Sequence, residues 1–208
     1  MKIDSIIFDL DGTLWNSIEG VCGAWKTVLS QYPSIKKEIT PTDMEGCMGL
    51  QIVDIGKKLF PDLEEAFQIK LMKECCSAEQ VYLGEHGGSL FPKLEETLKK
   101  LAENHKLFIV SNCQDGYIQC FFKAHKLDKY FEDFECSGVT GLPKGENNKL
   151  IIKRNNLKNP VYVGDTISDA ESAKIAKIPF VYARYGFGDV GEYDYVIDSF
   201  EEILNLGL

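Results

Sequence analysis

Residues 5–14 read SIIFDLDGTL, and this stretch decides how the rest of the chain is interpreted. Residues 5–8 form a short apolar run rich in isoleucine, which predicts a buried strand. The run stops at Asp9 and Asp11, and Gly12 then permits a tight turn. Residues i and i+2 of an extended chain face the same side, so the two carboxylates are predicted to share one space, which favours a bound cation. The alternative is a surface turn with a helix-capping threonine.

The chain after residue 87 alternates short apolar runs with amphipathic segments of about ten residues, which predicts a parallel sheet with helical crossovers. The predicted strands are 107–110, 134–137, 161–163, 180–183 and 195–197, and the predicted helices are 94–104, 117–125, 146–155 and 168–176. In such sheets the ligand lies beyond the carboxyl ends of the strands.

Between about residues 15 and 82 the spacing of apolar residues is helical, and prolines mark the breaks. This stretch shows no convincing strand. We therefore predict an α/β fold with a parallel-sheet core, residues 1–15 and 86–208, and a small inserted all-α cap domain, residues 16–85.

Further strand ends carry polar side chains. Ser111 and Asn112 follow a predicted strand, where a hydroxyl and an amide can bind phosphate oxygens or cap a helix. Lys144 lies in a Gly/Pro loop, from which its ammonium could reach the crevice or point into solvent. Asp165 directly follows a predicted strand, and Asp169 comes four residues later. Asp169 could instead be an acidic residue that the helix dipole favours in the first turn of a helix.

Together these strand ends gather carboxylates, a hydroxyl and a lysine around one crevice. Clustered carboxylate oxygens suit Mg²⁺, which binds a few carboxylates together with water and substrate phosphate. A cation on one side and an ammonium on the other stabilise a phosphoryl group during transfer.

The composition limits the partners. The 208 residues carry a net charge of -9, which disfavours nucleic acid and anionic membrane surfaces as partners. Seven cysteines, an odd number without a C-x-x-C pair, favour free thiols in a reducing cytoplasm. The N-terminal residues resemble neither a signal peptide nor an anchor. We expect a cytoplasmic protein that is a monomer or a small homo-oligomer.

The motifs resemble those of the haloacid dehalogenase superfamily of phosphohydrolases, in order and spacing over nearly the whole chain. The helical insert is similar to the cap of its phosphoglycolate phosphatase-like and beta-phosphoglucomutase-like branch. The matching segments are residues 8–14, 110–112, Lys144, 164–169 and 185–188. The third motif departs from many relatives, since proline precedes Lys144 where they have Lys-Pro.

The resemblance implies a Rossmann-like core and assigns roles to the carboxylates. Asp9 would be the nucleophile that becomes an aspartyl-phosphate, and Asp11 would act as acid and then as base. Mg²⁺ would be held by the Asp9 carboxylate, the Asp11 backbone carbonyl and Asp165. Asp169 would lie behind these ligands or join them directly.

The resemblance also implies that Ser111 and Lys144 bind the phosphoryl oxygens, and Asn112 belongs to the same motif. Neither of the two arginines of the chain lies in the predicted insert. A second anionic group on the substrate would therefore have to meet Lys57 or Lys58.

We expect a Mg²⁺-dependent phosphatase that acts on a phosphomonoester of a small soluble metabolite. A sugar-phosphate mutase of the same architecture is an alternative that the sequence does not separate. A metal-independent 2-haloacid dehalogenase would leave Asp11, Asp165 and Asp169 without a role, and a non-catalytic regulatory protein would not need all four motifs. Residues 46–51 are a candidate specificity loop, or an ordinary connection between helices.

Overall fold

A six-stranded parallel sheet forms the centre of the protein, whose computed structural model describes residues 2–207. The strands within these residues are β1 (Ser5–Phe8), β2 (Trp15–Asn16), β3 (Ser89–Leu90), β4 (Lys106–Ser111), β5 (Asp133–Cys136), β6 (Pro160–Gly164), β7 (Phe180–Ala183) and β8 (Tyr195–Ile197). The order in the sheet is β5-β4-β1-β6-β7-β8, and β2 pairs with β3 in a separate antiparallel ribbon.

Strand β1 lies at the centre of this order, between β4 and β6. Phe8 is in register with Ile109 of β4 and with Val163 of β6. The carboxyl ends of the three strands therefore meet at one edge of the sheet, as predicted from the sequence.

Helices cover both faces of the sheet. The α-helices of the described chain are α1 (Ile18–Leu29), α2 (Pro41–Glu45), α3 (Ile52–Leu59), α4 (Glu65–His86), α5 (Leu94–Leu101), α6 (Tyr117–His125), α7 (Ser137–Thr140), α8 (Lys144–Arg154) and α9 (Ile167–Ala176). Ile6 and Phe8 of β1 belong to a core cluster that includes Leu98 of α5. Ile7 points to the other face, where the cluster includes Ile151 of α8. This alternation explains why Ile6, Ile7 and Phe8 of β1 are all apolar.

Helices α1 to α4 lie between β2 and β3, and we call residues 18–86 the helical segment. Helix α1 packs along α4, and α4 also packs against α6 of the core. The Cys120 thiol of α6 lies 3.3 Å from the carbonyl oxygen of Gln80 in α4. The helical segment packs over the carboxyl edge of the sheet. Residues of the helical segment and of the core together line the cavity that is described below.

Several sequence-based predictions need correction. The stretch from residue 15 contains β2, which escaped detection because two residues are too short to show a period. Lys144 is the first residue of α8 and does not lie in a loop. Strand β5 ends at Cys136, and α7 begins at the next residue, Ser137. Helix α5 ends at Leu101, three residues earlier than predicted.

The seven cysteines are free thiols, as expected. No helix within residues 2–207 is both long and apolar enough to cross a membrane.

Candidate active site

Asp9 lies directly after β1 and is almost completely buried. Its backbone N–H donates to the Val163 carbonyl at 2.8 Å, which continues the pairing of β1 with β6. The following turn needs Gly12, whose φ is +82°, and a Cβ there would lie 2.2 Å from Asp165 Oδ2. Only glycine therefore lets the turn after β1 approach the carboxylate that follows β6.

Asp11 lies on this turn and is less buried than Asp9. Its Oδ1 accepts hydrogen bonds from the Ser17 hydroxyl at 2.6 Å and from the Tyr117 hydroxyl at 3.0 Å. Burial raises the pKa of Asp11 above its ordinary value, although these two hydrogen bonds oppose the shift. The carboxyl is thus fixed in direction and holds a proton more readily than a carboxyl in water.

The Lys144 ammonium lies between two buried carboxylates. It is 2.8 Å from Asp9 Oδ1 and 2.7 Å from Asp169 Oδ1, and its side chain is 2% exposed. Burial alone would lower the pKa of Lys144, but the charges of Asp169 and Asp9 more than offset this and raise it above its ordinary value. Lys144 therefore carries a permanent positive charge beside Asp9.

Most of the hydrogen bonds that the Asp169 carboxylate accepts come from residues at the start of α9. Its Oδ2 accepts from the Thr166 hydroxyl at 2.6 Å, from the Thr166 N–H at 2.9 Å and from the Asp165 N–H at 3.2 Å. Thr166 and Asp169 form the capping box that starts α9. One oxygen of this carboxylate is thus held by the start of α9, and the other by Lys144 and the Tyr162 hydroxyl.

Asp165 follows β6 and is completely buried. Its Oδ2 accepts a hydrogen bond from the Phe187 N–H at 2.8 Å. Burial raises its pKa well above the ordinary value, and the charges of Asp169 and Asp9 add to this shift. Asp165 is therefore a carboxylate whose charge is poorly compensated by the protein.

The three carboxylates form one cluster. Asp9, Asp165 and Asp169 each offer an oxygen, and these oxygens lie within 4.8 Å of one another. Within residues 2–207, Lys144 is the one ammonium that forms an ion pair with this cluster. The excess negative charge and the hard oxygen donors fit a divalent cation such as Mg²⁺.

Ser111 and Asn112 lie at the end of β4, on the other side of Asp9. The Ser111 hydroxyl oxygen accepts the Cys113 N–H at 3.3 Å, which leaves its own proton available to an anion. The Asn112 amide donates to the Gly49 carbonyl of the helical segment at 2.8 Å and accepts from the Ser137 hydroxyl at 2.8 Å. In this structure its side chain therefore joins the core to the helical segment.

A cavity of about 70 Å³ opens beside these groups. It reaches from the carboxyl edge of the sheet to the helical segment, and Met48, Gly49 and Leu50 of the candidate specificity loop line it. The polar core residues on its wall are Asp9, Asp11, Ser111, Asn112, Gln114, Tyr117 and Lys144.

A comparison with known proteins identifies the family of this chain. The chain matches the family model described as haloacid dehalogenase-like hydrolase over residues 6–183. The protein belongs to that family. This match confirms the predicted resemblance and the predicted α/β fold. It also confirms the prediction that the protein is an enzyme similar to phosphoglycolate phosphatases.

Individual relatives extend over almost the whole chain. A phosphoglycolate phosphatase of Salmonella typhi is 26% identical, over 98% of this chain and 92% of the relative. One of Escherichia coli K12 is also 26% identical, over 97% of this chain and 91% of the relative. These identities are low, so they support the family more strongly than a particular substrate.

Solved structures share the fold. A haloacid dehalogenase-like family hydrolase from Streptococcus pneumoniae superposes with a TM-score of 0.83 at 20% identity, over 98% of this chain and 97% of that one. CbbY from Rhodobacter sphaeroides, solved in complex with phosphate, superposes with a TM-score of 0.78 at 14% identity, over 97% and 96%.

The structure of this family member brings together the residues of the four motifs, namely Asp9, Asp11, Ser111, Asn112, Lys144, Asp165 and Asp169. Lys57 and Lys58 do not line the cavity. The residues of the cavity wall that were not found from the sequence include Trp25, Glu79, Gln114 and Tyr117. For Glu79 a signal was present. It continues the four-residue spacing of Leu71 and Cys75 on α4, where the pattern calls for an apolar residue.

Proposed function

We propose that this protein is a Mg²⁺-dependent phosphatase that hydrolyses a phosphomonoester of a small metabolite by way of an aspartyl-phosphate on Asp9. The observation that carries the proposal is the position of Asp9, between the Lys144 ammonium and the carboxylate of Asp165, at the wall of a cavity. The names of the relatives support phosphate ester hydrolysis.

Asp9 is the proposed nucleophile that attacks phosphorus. Its carboxylate is buried at the end of a central strand, and the Lys144 ammonium 2.8 Å away offsets the charge that would otherwise repel a phosphate. Lys144 and the Ser111 hydroxyl lie at the same cavity and would bind the oxygens of the phosphoryl group.

Asp11 is the proposed acid and base. Its raised pKa favours a carboxyl that gives a proton to the leaving oxygen, and the resulting carboxylate can then take a proton from the attacking water. Ser17 and Tyr117 hold its Oδ1, so that the other oxygen is left for the substrate. This would let one side chain serve both half-reactions.

Asp9 and Asp165 are the carboxylates that would hold Mg²⁺, because the oxygens of Asp169 already have several protein partners. The Asp11 backbone carbonyl is the third ligand that the family resemblance implies. When bound, the ion would supply positive charge for the phosphoryl oxygens. Asp169 would then act by holding Lys144 in place.

The test is turnover of p-nitrophenyl phosphate with Mg²⁺. We expect Asp9→Asn to lower kcat by about a thousandfold or more, since it removes the nucleophile. Asp62→Asn, on the exposed surface, is the matched control and should keep the activity of the unmodified protein. Full turnover by Asp9→Asn would overturn the assignment, and EDTA-resistant release of halide from a 2-haloacid would favour a dehalogenase instead.

A further inference from the structure

The part of the cavity wall that comes from the helical segment is largely apolar. This wall would face the leaving group of a phosphate ester whose phosphorus lies at Asp9. Its apolar side chains include Val21, Trp25, Met44, Met48, Leu50 and Ile55.

The wall offers no cation to a second anionic group. Among the described residues that line the cavity, Lys144 is the one basic side chain, and Asp9 and Asp169 already engage it. Lys58 donates to the Gly46 carbonyl, and Lys57 lines a different groove. The expectation that either lysine meets the substrate therefore finds no support in the geometry of this wall.

Glu79 is the polar exception on this wall. It comes from α4, is 4% exposed, and accepts hydrogen bonds from the Trp25 indole and from the Gln114 amide, one on each oxygen. No ion pair joins it to a lysine or arginine in the part of the chain that the structure describes. Burial raises the pKa of its carboxyl to about 8, because these hydrogen bonds compensate its charge only in part.

We propose that Glu79 determines specificity by accepting a hydrogen bond from a hydroxyl or ammonium group of the leaving group, and that the same wall rejects leaving groups that end in a carboxylate. The inference rests on the proposed phosphatase function. Each carboxylate oxygen has a lone pair beyond the one used by Trp25 or Gln114, so a donor can be added without breaking the existing bonds. When Glu79 is ionised, a substrate carboxylate would face it with no cation between them, which costs both desolvation and repulsion.

The proposed role of Glu79 predicts a substrate preference that differs from the one named for the phosphoglycolate phosphatases. Phosphoglycolate ends in a carboxylate two atoms from the ester oxygen, so it should be a poor substrate at a pH above the pKa of Glu79, although the relatives carry its name. Esters of the same length that end in a hydroxyl or an ammonium should be better substrates, because they satisfy Glu79.

The experiment compares four esters of similar size with Mg²⁺ at about pH 8.5, where more of the Glu79 carboxyl is ionised than protonated and simple amines are still largely protonated. These are phosphoglycolate, 2-hydroxyethyl phosphate, phosphoethanolamine and ethyl phosphate, which has no second polar group. We expect kcat/KM for the better of the hydroxyl and ammonium esters to exceed that for phosphoglycolate at least about tenfold. The hydroxyl and ammonium arms show which donor is preferred.

Glu79→Gln is the decisive variant, because the amide is the same size and can donate to a carboxylate. We expect it to lower kcat/KM for the preferred ester and to raise it for phosphoglycolate, a crossing that simple damage to the fold would not produce. Glu85→Gln, exposed on the same helix, is the matched control and should keep the wild-type order.

The outcomes distinguish the two proposals. Turnover of p-nitrophenyl phosphate together with phosphoglycolate as the preferred ester, or an unchanged order in Glu79→Gln, would overturn the role of Glu79 and leave the phosphatase standing. Absence of turnover of every ester, p-nitrophenyl phosphate included, would overturn both.

Discussion

The Lys144 ammonium lies 2.7 Å from Asp169 Oδ1, and both side chains are withdrawn from water. Because the capping box of α9 holds Asp169 from behind, the lysine is directed toward Asp9. The start of α9 and the start of α8 thus act together on the end of β1. Lys144 therefore holds these elements together in addition to the role proposed for it in phosphate binding.

Replacing Lys144 should therefore damage stability as well as activity. Lys144→Met removes the charge, keeps much of the volume, and leaves Asp9 and Asp169 buried without their ammonium. We expect a loss of about 3–5 kcal/mol in the free energy of unfolding, measured with urea, together with loss of turnover. Lys149→Met on the same helix should change little, since its pair with Glu146 is exposed. A Lys144→Met protein as stable as the wild type would contradict this account.

Divalent metal should stabilise the protein, because it compensates a buried cluster of carboxylates. Saturating Mg²⁺, at about 100 times its dissociation constant, should add about 2.7 kcal/mol to the free energy of unfolding relative to protein in EDTA. The measurement is the thermal midpoint as a function of Mg²⁺ concentration.

Asp165→Asn should abolish most of this Mg²⁺-dependent shift, because it removes a proposed ligand. The variant Asp62→Asn should keep it, as its side chain is exposed and lies outside the cluster. If the midpoint of the wild type does not respond to Mg²⁺, the cluster is not a metal site.

Much of the core could be predicted from the sequence, because its strands and helices are long enough to show a period. Helix α6 and strands β1, β7 and β8 have the predicted bounds. Helix α2 was missed because five residues show no period, although Thr40 and Asp43 form a capping box around Pro41.

The strand ends of the site could also be predicted, because parallel strands bring their carboxyl ends together whatever the loops do. The residues that the helical segment contributes to the site could not be predicted, because their contacts with the core depend on how α1 and α4 pack against it. Glu79 of α4 is the example: its contacts with Trp25 of α1 and with Gln114, in the loop after β4, join three segments that are far apart in the chain.

The contact between Gly49 and the core should affect the fit of the helical segment over the site. Gly49 has a φ of +78°, and a Cβ there would lie 2.9 Å from Thr166 Oγ1. We expect Gly49→Ala to destabilise this contact by about 1 kcal/mol and to lower kcat/KM for p-nitrophenyl phosphate severalfold. Gly23→Ala in α1 is the control, because a Cβ there meets no atom within 4 Å and alanine favours the helix. Equal kcat/KM values for both variants would show that this contact is not needed.

Glu79 should make the stability of the protein fall as the pH rises. Burial raises its pKa from an ordinary value of 4.5 to about 8, so the folded state holds this proton more tightly than the unfolded chain. Its contribution is fully present below about pH 4.5 and is lost as the pH rises through about 8, on the order of a few kcal/mol. Glu79→Gln removes the titration, so the unfolding free energy of the wild type should fall relative to that of this variant over that range in urea melts. Glu85→Gln should leave the wild-type profile unchanged, and parallel profiles for wild type and Glu79→Gln would mean that the Glu79 carboxyl titrates normally.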